Sequence, residues 1–501
     1  MTALSLPRRL GVGGLPLAIA GAIGAVALGL ICGRVAVSHY GKIAIEAIIL
    51  APILLAVAQR PVVAVIAMLA VVSSVFTYGS LPRVNLPGHP PINVADLFLA
   101  AAVGGTVWRR PWRHWPPVAR SYALAMLLMV ALASVATVKT SLLGSAEARE
   151  ALYYLRDLLY LAIALTIAIE LNGDLWRPLL LGLIAFAAAV SVVSIAAAAS
   201  HSVAHEVSVL APTSIMSASA DAGSPTARIR LPGLYFVYAM LIPTLVLILL
   251  ERSRRPRVLL GLALLLMLGA IGVSLNRNMY VGALVGLIIT AVLGGPRLRF
   301  RIGLVGVAMV VALTLVVITS VAPAITAQIG KRASTALAPS QIVSSGSFQD
   351  RTYELSFALP AIGRHPWFGV GPRQAYGALL DPFTDRPRFF VQNLYVDLAT
   401  DYGIPMALAF LLVPGVCLMF GLRRLRQAAD SFDRAMVAAM IGTLVALLLS
   451  LVVGTYLQDP DSTAAFGVAC GLLLATALRT TTYATMRTSM FESEAENVRP
   501  A

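Results

Sequence analysis

Charge is what this chain has least of. Only 12% of its 501 residues are Asp, Glu, Lys or Arg, against 58% hydrophobic residues, and the mean hydropathy is +0.84. That balance excludes a soluble globule of this length. Cysteine is scarce as well: Cys32, Cys417 and Cys470 all lie in apolar runs, so neither a disulfide framework nor a thiolate zinc cluster is expected, and they read as small core residues. No Gly-rich loop closing on Lys-Ser/Thr occurs, which removes a nucleotide-driven motor. There is no internal repeat. His201 and His205 have the four-residue spacing of two metal ligands on one helical face, with Glu206 beside them, but no third histidine lies near; neither a metal nor a cofactor is expected. Acidic residues are the rarer charge, 23 against 38 basic ones. In a soluble protein that excess would suggest nucleic acid. Here the arginines sit in short turns between apolar runs, where they set orientation in a bilayer, so no nucleic-acid partner is expected.

The apolar runs that remain predict an all-α polytopic membrane protein with about 12 to 14 transmembrane helices. They begin near residues 14–36, a stretch too long for the core of a signal peptide, and end near 464–478. Residues 1–323 and 393–478 form the helix bundle. Residues 324–392 are inserted between them as one large extracytoplasmic loop containing short helices, and 479–501 read as a disordered cytoplasmic tail. Basic clusters at Arg8–Arg9, Arg109–Arg113, Arg252–Arg257, Arg297–Arg301 and Arg423–Arg426 recur at alternate turns. That asymmetry puts both termini in the cytoplasm of a plasma-membrane protein. It also puts the loops 80–92, 201–230 and 324–392 outside, although the last is itself basic.

That outer insert carries Arg351, Arg364, Arg373, Arg386 and Arg388. Guanidinium forks at a bilayer surface suit a phosphate or diphosphate, because they pair bidentately with its oxygens and keep their charge. Arg277, in the short Ser274-Leu275-Asn276-Arg277-Asn278 turn, and Arg230, before an apolar span, fall on the same side. Each alone is equally well read as an arginine snorkelling to the lipid boundary, and Arg351 could simply pair with Glu354 one turn on. A diphosphate would give all three one purpose. Glu46 and the adjacent Arg156 and Asp157 are ionisable groups within apolar spans; a buried ion pair or interfacial position is the preferred reading over a proton or substrate path. Trp108, Trp112, Trp115 and Tyr122 fit an aromatic belt at the inner surface.

Between 230 and 410 the order of motifs resembles the O-antigen ligase and O-antigen polymerase family. It runs from Ser274-Leu275-Asn276-Arg277 through an outer loop with Arg351 to His365-Pro366-Trp367-Phe368-Gly369-Val370-Gly371-Pro372. Asn393-Leu394-Tyr395 and Asp401-Tyr402-Gly403-Ile404-Pro405 complete it. The resemblance implies a membrane glycosyltransferase of exopolysaccharide and cell-envelope biosynthesis. Its donor would be an undecaprenyl-diphosphate-linked glycan and its acceptor a glycan or glycolipid hydroxyl, with neither nucleotide sugar nor metal. Polysaccharide-assembly proteins would be its partners. It also implies that Arg230 (or Arg228), Arg277 and Arg351 bind the diphosphate. Where the ligases have a histidine held to deprotonate the acceptor, this chain has Gln392, before Asn393. An amide cannot accept a proton at neutral pH, so His365, Glu354 and Asp397 become candidates for that role. The rival class is a multi-span transporter or lipid-linked oligosaccharide flippase, which predicts two repeat-related halves.

Overall fold

The structure, a computed structural model, describes residues 61–72, 83–84, 92–142, 148–171, 173, 175–199, 215–216, 228–229, 233–274, 276–304, 346–372, 374, 391–428, 430–454 and 459–497, with scattered positions between 52 and 60. The chain divides into compact units Met1–Arg60 and Pro61–Ala501. In order, the helices of the second unit are α1 (Pro61–Val72), α2 (Val94–Arg109), α3 (Pro117–Leu142), α4 (Ala148–Leu159), α5 (Ile163–Glu170), α6 (Trp176–Ala199), α7 (Leu234–Leu250), α8 (Arg254–Ser274) and α9 (Arg277–Leu293). After them come α10 (Gly346–Arg364), α11 (Leu394–Tyr402), α12 (Ile404–Gln427), α13 (Ser431–Leu451) and α14 (Pro460–Asn497). The only strands among the described residues are two antiparallel pairs of two residues each, Arg83–Val84 with Ile92–Asn93 and Ile215–Met216 with Arg228–Ile229.

Seven of the described helices are long and apolar enough to cross a membrane, and three shorter apolar ones accompany them. The protein is therefore an all-helical polytopic membrane protein. Predicted spans near 14–36, 43–58 and 302–323 lie wholly or mostly outside the described residues. So do Arg8, Arg9, Cys32, Glu46, His201 and His205. Cys417 and Cys470 are free and buried, as small core residues. Helix α14 continues past its apolar part to Asn497, through the stretch that composition gives as a tail.

Small residues let α9 and α13 touch. A Cβ placed on Gly286 would lie 2.6 Å from the Gly442 carbonyl oxygen, and one on Gly442 would collide with the Gly286 carbonyl oxygen in turn. Thr290 Oγ1 donates to the Gly286 oxygen of its own helix at 2.7 Å and across to the Ala438 oxygen at 3.3 Å. Close backbone approach through glycine with a hydroxyl bridging it is how apolar helices associate where no hydrophobic drive exists between them. One of the seven spans, Ala151–Glu170, joins α4 and α5 through a 3-10 turn, Tyr160–Ala162, flanked by helical backbone on both sides. Tyr122 reaches this turn from α3: its hydroxyl, wholly buried, donates to the Leu161 oxygen at 2.9 Å. This removes Tyr122 from the expected aromatic belt, as does burial for Trp115, whereas Trp108 is 89% exposed.

Ion pairs mark one end of the bundle. Arg109 and Arg110 at the end of α2 meet Glu170 at the end of α5, at 3.2 and 3.9 Å. Arg177 at the start of α6 meets Glu251, just after α7, at 3.0 Å. Arg301 and Arg434 donate to the last carbonyls of α7 and α9, those of Leu249 and Leu293, where a cation also offsets the helix dipole. Arg351, Glu354 and Gln392 lie toward the other end of α13, near Ser450 and Val453.

Candidate functional site

Helix α10 is amphipathic in a simple way. Glu354, Ala358 and Ala361 repeat at helical spacing on its inner face and are buried, and the two alanines pack with Val391, Val370 and Val396. Glu354 is a carboxylate on that otherwise apolar stripe, and its Oε2 accepts the backbone N–H of Gln392 at 2.8 Å. One turn earlier Arg351, half-buried, donates from Nε to Gln392 Oε1 at 3.1 Å and from Nη2 to the Val453 carbonyl at 3.3 Å. Both charged residues of the turn thus converge on Gln392, one holding its backbone and the other its side chain. An arginine has donors only, so the amide oxygen must face it and the NH2 group faces away. That NH2 makes no hydrogen bond with a described residue. Gln392 in this position offers a neutral donor, not a base.

Downstream, polar side chains shape the chain. Asn393 is the N-cap of α11: its Oδ1 accepts from the Tyr395 and Val396 N–H groups at 3.0 and 3.3 Å, filling the vacant acceptor role at a helix start. Asp397, buried, accepts the Val391 N–H at 2.9 Å. The Tyr395 hydroxyl donates to the Leu448 carbonyl on α13 at 2.8 Å, and burial pushes its pKa up to about 12, so it stays a donor.

The His-Pro-Trp-Phe-Gly-Val-Gly and Asp-Tyr-Gly-Ile motifs form one clasp. Gly369 N–H closes a turn on the His365 carbonyl at 3.0 Å, Val370 and Gly371 donate to the Thr400 and Asp401 carbonyls at 2.8 and 3.1 Å, and Ile404 donates back to Pro366 at 2.8 Å. Gly369, Gly371 and Gly403 have φ of 63, 117 and 92°, conformations open to glycine. Lys139, at the end of α3, ties the turn to the bundle through the Gly369 carbonyl at 3.0 Å. His365 itself is exposed and its side chain makes no hydrogen bond with a described residue. It follows α10, whose rise of about 1.5 Å per residue puts it roughly 20 Å from Arg351. The structure does not bring it to Gln392.

Arg230 and the side chain of Arg277 lie outside the described residues. The backbone of Arg277 opens α9, and its turn is braced by Tyr280, whose hydroxyl donates to the Gly272 carbonyl at 3.0 Å, and by Ser274, whose hydroxyl donates to the Ile271 carbonyl at 2.7 Å. Asn278 Nδ2 donates to the Ser450 carbonyl in the last turn of α13 at 3.4 Å. Val453, which receives Arg351, stands three residues further along the same chain end. The start of α9 and the Arg351 guanidinium are therefore both fastened to the carboxyl end of α13. Near Arg230, the Gly233 N–H is bound by Asp461 Oδ2 at 2.7 Å, which fixes the start of α7 to that of α14.

Sequence reasoning weighed Arg156 and Asp157 as a buried pair, and they are one, at 2.9 Å. It did not find their partners Asp96 and Tyr160, some 60 residues apart in sequence from one another; only the spatial approach of α2 to α4 could reveal them. No group of three or more His, Cys, Asp or Glu side chains suited to a metal occurs among the described residues.

Comparison with curated proteins gives no match. Comparison with protein-family models gives one whose window holds the end of α8, all of α9, α10 and α11, and the first turns of α12, and with them Arg277, Arg351, Glu354, His365, Gln392 and Asn393: residues 262–411 match the O-antigen ligase family.

Proposed function

We propose that this protein is a glycan ligase or polymerase of the O-antigen type, working at the extracytoplasmic face of the plasma membrane with both termini in the cytoplasm. It transfers a glycan from an undecaprenyl diphosphate carrier to a hydroxyl of a second glycan or glycolipid. The observation that carries this reading is the fastening of Arg351 and of the start of α9, where Arg277 stands, to one turn-length of backbone at the end of α13. An arginine anchored beside the start of a helix that opens on a second arginine suits a lipid diphosphate. Arg230 is assigned to the same cradle.

In this reading the acceptor oxygen attacks the anomeric carbon, the bond from that carbon to the diphosphate oxygen breaks, and its electron pair leaves with the diphosphate. Arg351 and Arg277 stabilise the charge developing there. Gln392, with its NH2 facing away from Arg351, donates to a diphosphate or acceptor oxygen and takes no proton. Of the carboxylates considered as proton acceptor, Glu354 is the one already in contact with Gln392, and it is assigned that role in preference to Asp397 and the distant His365. Asn393 acts through the backbone it caps.

Deletion of the gene followed by analysis of surface glycan length tests the proposal. Single repeats left on the lipid carrier identify a polymerase, and full-length polymer left on the carrier identifies a ligase. An unchanged surface glycan removes both.

A further inference from the structure

Helix α9 ends at Leu293, and two residues on Gly295, at φ 95°, reverses the chain so that the helical stretch 296–304 runs back beside α9. Between that stretch and helices α7, α8 and α9 lies a groove of ≈ 290 Å³. Leu241 and Leu245 of α7, Leu264 and Leu268 of α8, and Leu284 and Ile288 of α9 wall it, and Arg299 is the charged side chain in its lining. Its depth is that of one leaflet. Leu241 stands nine residues before the end of α7, Leu284 nine before the end of α9 and Leu268 fourteen past the start of α8. At about 1.5 Å per residue the walls run inward from the basic turns by roughly 13 to 21 Å, against about 15 Å for half of a hydrocarbon core.

The mouth of the groove is positive. Arg299 is exposed; its Nη2 reaches the Val292 carbonyl at 3.4 Å, and its other N–H groups donate to no described residue. Arg301 donates to the Leu249 carbonyl at the end of α7, and Arg257 to the Glu251 carbonyl just after it, at 3.0 Å. Glu251 is the one acidic residue of the turns 251–257 and 294–301. Its carboxylate is taken by Arg177 at 3.0 Å and by the Ser253 N–H at 3.1 Å. Any lipid tail could enter the slot, so the arginines at its mouth decide which headgroup stays. A choline headgroup would bring its own cation against them, whereas a net negative one is drawn to basic pockets between helices. We propose that this groove binds an anionic phospholipid, with one acyl chain between α7, α8 and α9 and the phosphate at Arg299. Its placement in the cytoplasmic leaflet rests on the orientation proposed above; the chemistry of the site does not.

Native mass spectrometry of the full-length protein, titrated in detergent with dioleoyl phosphatidylglycerol or dioleoyl phosphatidylcholine, reads the preference. Arg299→Gln is expected to weaken the glycerol lipid roughly fivefold and to leave the choline lipid unchanged, while Arg299→Lys keeps most of the preference. Arg297→Gln, outside the lining, is expected to shift either lipid by no more than about twofold. Gly303→Phe, at a position where a Cβ meets nothing within 4 Å, fills the slot and weakens both. Equal affinity of the wild-type protein for the two lipids, or an undiminished preference in Arg299→Gln, overturns the proposal. So does tighter binding of undecaprenyl phosphate that Gly303→Phe abolishes, which would give the groove to a polyprenyl chain. If Arg299→Gln does not fold, the wild-type protein carries the test: a preference that raised salt leaves intact overturns the headgroup contact.

Discussion

Arg351 and Gln392 are 41 residues apart in sequence and 3.1 Å apart in space, and the contact sets what each can do. The neutral amide orients the guanidinium without itself cancelling the charge. Gln392→Glu is nearly isosteric and reverses this: a carboxylate would pair with Arg351 and neutralise it. Transfer activity is expected to fall roughly ten- to hundredfold through a raised donor KM, the worth of a charge-assisted hydrogen bond. If a missing base limited the enzyme, the same substitution would raise the rate instead. Asn393 makes a different kind of prediction. Replacing it with Ala removes the cap of α11 and is expected to destabilise the protein by about 1 kcal/mol, seen as a lower unfolding temperature, while Asp or Ser retains most of it. In sequence Asn393 is read only as part of a motif beside Gln392, and the cap is seen in the structure, although asparagine ahead of an apolar helical run is a helix-start signal. The Arg351–Gln392 contact was not legible either: nothing in sequence spacing tells that residue 351 reaches residue 392 and not Glu354 alone.

At the scale of elements, the outer motifs work as a clasp. Gly403 sits at φ 92° with the Trp367 carbonyl oxygen pressed against the space a Cβ would fill, and Gly369 at φ 63° with the Asp401 carbonyl placed the same way. Gly403→Ala and Gly369→Ala each combine strain with a backbone clash and are expected to cost roughly 2 kcal/mol or more. Gly415, inside α12, has nothing within 4 Å of a Cβ; Gly415→Ala is expected to be neutral or stabilising by up to about 1 kcal/mol. Unfolding temperatures of the three variants, measured side by side, check the contrast. Apolar length made the spanning helices legible, seven of them among the described residues against about 12 to 14 expected of the whole chain. The 3-10 turn between α4 and α5 and its contact with Tyr122 from another helix were not readable, because apolar composition is silent about which carbonyl a neighbour will meet.

Across the whole molecule, charge separates the two ends. Arg109, Arg177, Arg301 and Arg434 gather at one, and Arg351, Gln392 and the clasp at the other. The alternation of basic turns made this polarity legible, because orientation is written locally at each turn, while the site depends on which helices pack together. In a cysteine-free background, Trp367→Cys, at a position 71% exposed, is expected to react with an impermeant maleimide on intact cells, and Arg254→Cys only after the cells are opened. The reverse pattern would put the site on the wrong side for a lipid-diphosphate-linked glycan that is used outside. The most direct measurement of the central claim is Arg351→Ala in the chromosomal gene, read by the size distribution of surface glycan with protein level monitored. The account predicts normal protein abundance with long or transferred glycan reduced roughly a hundredfold or more, as expected when a charge-stabilising donor is lost. Wild-type glycan from that strain would contradict it.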